Sequence, residues 1–167
     1  MQHKAWSRLF PVFVIVTVVF VWASSQSLPA VVASHFGPSG EANGLMPREA
    51  YVWFMVVLVA VVPVLMVYLP NRLMTGTGGR INLPNRDYWL APERRQQSIA
   101  YLCNVSFRFG YLLVAFLGYV HWLVVRSNAV TPPAMGIGWI VGGLVVFIAA
   151  TFVAVLAIFR RFGGVPR

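Results

Sequence analysis

The chain of 167 residues is strongly apolar and basic, since 59% of its residues are hydrophobic, 10% are charged and the formal net charge is +9. So few charged residues could not keep a domain of this hydrophobicity in solution, and the composition therefore excludes a conventional soluble protein. The single cysteine, Cys103, excludes an internal disulfide.

Four long apolar segments dominate the chain. A helix needs about 20 apolar residues to cross a hydrocarbon core about 30 Å thick, and each segment meets or approaches that length. The sequence therefore predicts an all-α membrane protein, a four-transmembrane-helix bundle that forms one domain over residues 1–167, with an ordered outer loop between helices 1 and 2. The predicted spans are residues 9–25, 51–69, 101–125 and 137–159.

The basic residues outside the spans are distributed unevenly. Only Arg48 and Arg126 lie in the first and third connections. By the positive-inside rule, both termini and the middle loop are cytoplasmic, and loops 27–50 and 126–136 face outward. The charges then act as orientation signals and headgroup contacts, so we expect the lipid bilayer as partner and no nucleic acid. The basic residues assigned to the cytoplasmic side are Lys4, Arg8, Arg72, Arg80, Arg86, Arg94, Arg95, Arg160, Arg161 and Arg167.

The first outer loop is rich in proline and glycine, which predicts a turn-rich, ordered cap. By this topology His121, near the outward end of the third span, can approach His35 and the carboxylates of this loop. Two histidines with a carboxylate could bind zinc, and a histidine paired with a carboxylate could act as an acid or a base. The spacing matches no zinc or nucleophile motif, so we expect His35 to bond the turn backbone and His121 to lie at the wet interface beside Trp122. The candidate outer-face binding residues are His35, Glu41, Asn43, Arg48, Glu49 and His121.

The middle loop carries a polar and aromatic run before the third span. Pro92 and Glu93 are typical of a first helical turn. Tyr88 and Trp89 are aromatic residues suited to the headgroup level. The candidate cytoplasmic contact residues are Asn82, Asn85, Arg86, Asp87, Tyr88 and Trp89.

The third span is the most polar of the four. Spacings of three and four residues predict one face that looks into the bundle. Arg108 either extends its stem to headgroups or pairs with Asp87 or Glu93, or it is a functional charge in a polar cavity. The members of that face are Asn104, Arg108, Tyr111, Ala115, Gly118 and Trp122.

In the fourth span, Gly138 and Gly142 are four residues apart. This spacing predicts close helix packing, either within the bundle or between protomers.

Two stretches of the chain carry a recognisable pattern. The first consists of Leu28, Pro29, Val32, Ala33, His35, Phe36, Gly40, Ala42, Asn43 and Gly44, and the second is the run Ile81–Leu90. Together they resemble a bacterial membrane domain of unknown function that also opens the SdpI-type immunity proteins. The resemblance implies a cytoplasmic-membrane location and, as one possibility, immunity against a secreted killing peptide. It implies no catalytic residues.

These observations favour a non-enzymatic binding or sensing protein of the bacterial cytoplasmic (inner) membrane, of the SdpI-like type. Its outer loop would recognise a peptide or lipid, and its basic middle loop would contact a cytoplasmic protein partner. An accessory or structural subunit of a larger membrane complex, or a homo-oligomer, is the alternative. An outer-leaflet metal protein or enzyme is a weaker one. We expect no resident cofactor.

Overall fold

The computed structural model describes residues 2–76 and 81–165, with side chains from Trp6 onward. The side chain of Lys4, together with Arg80 and Arg167, lies outside the described residues. The elements are α1 (Gln2–Ser24), β1 (Val31–Phe36), β2 (Ala42–Pro47), α2 (Arg48–Thr75), α3 (Arg86–Trp89), α4 (Pro92–Ser127) and α5 (Ile137–Phe162), with a short 3-10 turn at Ser25–Ser27.

Four of these helices, α1, α2, α4 and α5, are long and apolar enough to cross a membrane. The predicted four-helix membrane architecture is confirmed, and the chain is a multi-pass membrane protein. The helices extend beyond the predicted spans because polar residues continue them outside the apolar segments. α4 has 36 residues, or about 54 Å, against a hydrocarbon core of about 30 Å. It begins at Pro92, as predicted.

The helices α1, α2 and α4 pack against one another, and the main packing partner of α5 is α4. At the centre of the three-helix contact the ring of Phe10 lies 5.8 Å from that of Phe107, edge to face. A Cβ at Gly110 would overlap Val67 and Phe10. Glycine at this position therefore allows the three helices to meet.

The face of α4 that enters the bundle is mostly one position away from the predicted face, although Gly118 is buried as predicted. Arg108 and Ala115 are exposed, so the prediction that they look into the bundle is wrong. Small and apolar residues pack more closely between helices than a guanidinium group can. Arg108 therefore lies on the side of α4 that faces away from the neighbouring helices. Tyr111 is half-buried and donates to Trp6 O at 2.9 Å. The buried face consists of Cys103, Phe107, Gly110, Val114, Gly118 and His121.

The first outer loop is ordered, as predicted, but it forms an antiparallel β-hairpin rather than a series of turns. The register pairs Val31 with Pro47 and Ala33 with Leu45, and it shifts at His35. A Cβ at Gly44 would lie 2.7 Å from His35 Cβ, so a side chain there would disturb the pairing. We call the end of the bundle that carries residues 31–47 the hairpin end, and the end that carries both chain termini the terminal end.

Candidate functional site

The hairpin is fixed to the bundle by one side chain of the second outer loop. Asn128 Oδ1 accepts from the Ala33 amide at 2.8 Å, and its Nδ2 donates to Ala33 O at 2.9 Å. Nδ2 also donates to Val124 O in the last turn of α4 at 2.9 Å. Asn128 thus pairs with the outer edge of β1 as a further strand would.

The hairpin turn is held by the same loop. Met135 N donates to Gly40 O at 2.8 Å, and Glu41 forms an antiparallel bridge with Ala134. Gly40 has a φ of 89°, in the left-handed region, and a Cβ there would overlap Met135 O. The two outer loops therefore form one cap, in which glycine is required at residue 40.

Two polar pairs lie on this cap. His35 Nδ1 donates to Asn43 Oδ1 across the hairpin, rather than to the turn backbone as we expected. At the turn the Ser39 hydroxyl donates to the Glu41 carboxylate. That hydrogen bond holds the pKa of Glu41 below its ordinary value, so this exposed carboxylate is ionised at neutral pH.

His121 is completely buried, and the expectation that it lies at the wet interface is therefore wrong. It follows Gly118 by three residues on the packed face of α4. Its Nε2 lies 2.9 Å from Ser24 Oγ in α1, and its Nδ1 lies 2.9 Å from Tyr51 OH in α2. The imidazole thus joins all three helices of the packed bundle.

The direction of these hydrogen bonds follows from proton counting. The Ser24 hydroxyl has one hydrogen, which it donates to Phe20 O at 2.6 Å. The ring proton is therefore on Nε2 of His121, which donates to Ser24, and Nδ1 accepts from the Tyr51 hydroxyl. A nucleophilic serine would need to donate its proton to the imidazole, so this arrangement is suited to holding helices together rather than to acyl transfer.

The predicted outer constellation does not assemble around one point. His35 and His121 have different hydrogen-bond partners, and among the side chains of residues 6–76 and 81–165 no group of three or more metal-ligating residues occurs. Arg48 Nη1 donates to Leu28 O at 3.1 Å. With Glu49 it lines a groove of about 560 Å³ between α1 and α2, beside the exposed Trp22 and Trp53.

The outer face of the hairpin is partly apolar. Leu45 is 67% exposed and Val31 is 57% exposed, whereas Val32 on the opposite face is fully buried. Both residues lie in the segment that connects the end of α1 to the start of α2. We call this face, formed by Val31, His35, Asn43, Leu45 and Pro47, the hairpin surface.

At the terminal end, two of the predicted contact residues turn toward α5. Asn85 Nδ2 and Trp89 Nε1 both donate to Phe162 O, at 2.9 and 3.1 Å. This carbonyl in the last turn of α5 has no partner within its own helix, so the loop supplies its hydrogen bonds. Tyr88 stacks under the Arg94 guanidinium at 4.1 Å. The remaining members, Asn82, Arg86 and Asp87, are exposed.

The two glycines for which the sequence predicts close packing, Gly138 and Gly142, face open space. Nothing lies within 4 Å of a Cβ built at Gly138 or Gly142. Gly143 is instead the glycine at the contact with α4, where a Cβ would overlap the Tyr119 ring. Gly138 and Gly142 line a groove of about 550 Å³ between α4 and α5, which also includes Phe116.

Residues 12–67 match the model of a family described as a domain of unknown function (DUF1648). The match covers most of α1, the hairpin and most of α2, and it agrees with the predicted resemblance to a membrane domain of unknown function. The run Ile81–Leu90 lies outside the matched range. Neither curated proteins nor solved structures gave a match to the chain.

Sequence reasoning missed Ser24, Tyr51 and Asn128, which carry the main polar contacts of the hairpin end. Each is an ordinary residue at the end of an apolar segment, and its partner lies about 70 to 100 positions away in the chain. The only local signal was that Asn128 and Ser24 are polar residues where an apolar run stops.

Proposed function

We propose that the protein is a non-enzymatic recognition protein of the bacterial cytoplasmic membrane, whose hairpin surface binds an extended, partly apolar peptide. The observation that carries this proposal is the exposure of Leu45 and Val31 on a rigid hairpin beyond the helix ends. Exposed apolar groups outside the lipid favour a binding partner over water.

The backbone of the hairpin favours a peptide over other ligands. In the two-stranded sheet each strand has one outer edge. Asn128 occupies the edge of β1 at Ala33, and Ala134 bridges Glu41 just before β2, which leaves the remainder of the β2 edge for an added strand. Backbone hydrogen bonds to an added strand supply affinity, and Leu45 and Pro47 would then select its side chains.

The resemblance to SdpI-type immunity proteins supports a peptide that comes from outside the cell, and positive-inside sidedness would direct the hairpin toward it. The exposed Asn82, Arg86 and Asp87 then form the proposed contact for a cytoplasmic protein partner. In this account Asn85 and Trp89 hold the loop on α5 and do not touch the partner.

The test compares Leu45→Lys with Val165→Lys, which changes an exposed valine at the terminal end. The purified proteins are titrated against an array of synthetic apolar 8-residue peptides of β-forming sequence. We expect saturable binding of some peptides by wild type and Val165→Lys, with a loss of about tenfold or more in Leu45→Lys because one anchor is replaced by a charge. Equal binding by all three proteins would exclude the hairpin surface as the site.

A second function, an accessory subunit of a larger membrane complex, is favoured by α5. Among the residues described, α5 buries only Phe162. The groove that contains Gly138 and Gly142 has the small residues through which transmembrane helices approach closely. Its proposed occupant is a transmembrane helix of another protein or of a second copy.

The double variant Gly138→Leu with Gly142→Leu tests this alternative. Because both positions face open space, the fold of one chain should tolerate the change. In blue-native electrophoresis of mildly solubilised membranes, a subunit role predicts a large species for wild type and its loss in the variant. Migration of wild type as a monomer alone would reject it.

A further inference from the structure

A cleft opens between α2 and α4 at the terminal end. Gly110 lets the two helices touch at Val67, and the cleft begins directly beyond this contact, at Tyr68 and Phe107. It has a volume of about 400 Å³. A neighbouring cavity of about 290 Å³ shares Thr75, Gln96 and Ile99 with it and adds Arg95.

Asn71 has no partner for its side chain in this cleft. Its Nδ2 and its Oδ1 are both buried, and neither forms a hydrogen bond with any part of the chain that the structure describes. Buried amide groups are almost always paired, because an unpaired donor or acceptor loses its bonds to water without replacement. A molecule that supplies both an acceptor and a hydroxyl donor would satisfy Asn71.

The charge of the cleft selects an anion. Arg72 and Arg95 contribute two guanidinium groups near its mouth, and Gln96 adds an uncharged amide. Among the described lining residues of both cavities none is acidic. Guanidinium groups bind phosphate with paired hydrogen bonds, which makes phosphate the best match for this mouth.

The deeper part of the cleft is apolar. Ile99, Cys103 and Phe107 line it on the α4 side, toward the middle of the bundle. Polar and cationic groups at the membrane surface, followed by apolar groups at greater depth, match the order of headgroup and acyl chain in a phospholipid.

We propose that this cleft binds an anionic phospholipid whose headgroup carries a hydroxyl, of the phosphatidylglycerol type. The phosphate accepts from Arg72, Arg95 and Asn71 Nδ2, and a glycerol hydroxyl donates to Asn71 Oδ1. The site lies at the opposite end of the bundle from the hairpin surface, so it stands or falls independently of the proposed function.

The experiment titrates the full chain, purified and delipidated in detergent, with phosphatidylglycerol, phosphatidylcholine or soluble glycerol phosphate, and counts bound molecules by native mass spectrometry. We expect phosphatidylglycerol to bind about tenfold more tightly than phosphatidylcholine, because only its headgroup satisfies Asn71. Equal binding of the two lipids would overturn the proposal. Binding of glycerol phosphate as tight as that of the lipid would overturn the assignment to a lipid.

Variants locate the site. Arg72→Gln should lose about fivefold or more in affinity for phosphatidylglycerol, whereas Arg86→Gln, a matched change of an exposed arginine at the same end, should keep the wild-type value. Asn71→Leu should remove the preference over phosphatidylcholine. Wild-type preference in both Arg72→Gln and Asn71→Leu would overturn the proposal.

Asn71→Leu also gives a readout that does not depend on counting lipids. Without lipid the variant should melt at a higher temperature than wild type, since it removes an unpaired buried amide. Added phosphatidylglycerol should raise the Tm of wild type and leave that of the variant almost unchanged. A variant that phosphatidylglycerol stabilises as much as wild type would contradict the assignment of Asn71 to the site.

Discussion

His121 connects three helices through two hydrogen bonds in an environment that water does not reach. In the folded protein, water cannot replace these hydrogen bonds. Before the helices pack, however, the same polar groups find other partners within the membrane, and this reduces the net contribution of the bonds to stability. His121 therefore helps to fix the positions of α1, α2 and α4 relative to one another, and these helices support the cap.

Tyr51→Phe removes the hydroxyl that donates to His121 Nδ1 and keeps the ring that stacks on the imidazole, 5.7 Å between centroids. We expect a loss of about 1 kcal/mol in stability, the size measured for hydrogen bonds between membrane helices. A thermal melt in detergent checks it. Tyr88→Phe, in which the ring face that Arg94 contacts is retained, serves as the control and should leave the Tm unchanged. Equal melting of the two variants would contradict this role of His121.

Gly110 is packed against side chains of two neighbouring helices, whereas Gly138 faces open space. Gly110→Val places carbon atoms against Val67 and Phe10, and overpacking of this kind costs about 1–3 kcal/mol. Gly138→Ala enters open space in a helix and should keep or raise stability by up to about 1 kcal/mol. Chemical denaturation in mixed micelles measures both. Similar losses in the two variants would mean that α4 does not meet its neighbours at Gly110.

At the level of elements, the hairpin depends on Asn128 for its attachment. Asn128→Ala removes three hydrogen bonds, two of them to Ala33. We expect amide hydrogen exchange to accelerate in residues 31–47 and to stay unchanged in α2 and α4 away from the cap. Asn128→Asp keeps the acceptor for the Ala33 amide but loses both donated bonds, so its exchange rates should be intermediate. Unchanged exchange in Asn128→Ala would show that other contacts hold the hairpin.

At the terminal end, the last turn of α5 accepts a hydrogen bond from Asn85 in the middle loop. Asn85 has a φ of 50°, which glycine adopts without strain, and its side chain bonds Phe162 O. Asn85→Gly therefore removes the hydrogen bond alone, and Asn85→Ala removes the bond and strains the backbone. We expect faster hydrogen exchange at the end of α5 in both variants, and a larger fall in Tm for Asn85→Ala than for Asn85→Gly. Identical Tm values would argue against the backbone contribution.

Comparison of sequence and structure shows which elements local pattern can predict. The four spans could be predicted because each apolar run alone satisfies the length condition, and the first turn at Pro92 because proline has a local preference. The strands could not, since only six residues form each and glycine and proline dominate the loop. The partners of His121 and Asn128 depend on packing between distant segments, which no local pattern contains.

For the whole molecule, the helices place two loops at one end and both chain termini with the middle loop at the other. The described basic residues outside the predicted spans follow this division, with Arg48 and Arg126 at the hairpin end and the rest at the terminal end. Sidedness is therefore the property on which the peptide surface and the proposed cytoplasmic contact both depend.

The most direct measurement of that property is cysteine labelling in intact cells. Single cysteines replace Ser39 in the hairpin turn, Asn82 in the middle loop or Val165 after α5, in a Cys103→Ala background. A membrane-impermeant maleimide should label Ser39→Cys from outside, and should reach Asn82→Cys and Val165→Cys only after the membrane is permeabilised. Labelling of Asn82→Cys from the same side as Ser39→Cys, or of Val165→Cys from the opposite side to Asn82→Cys, would contradict the four-crossing account.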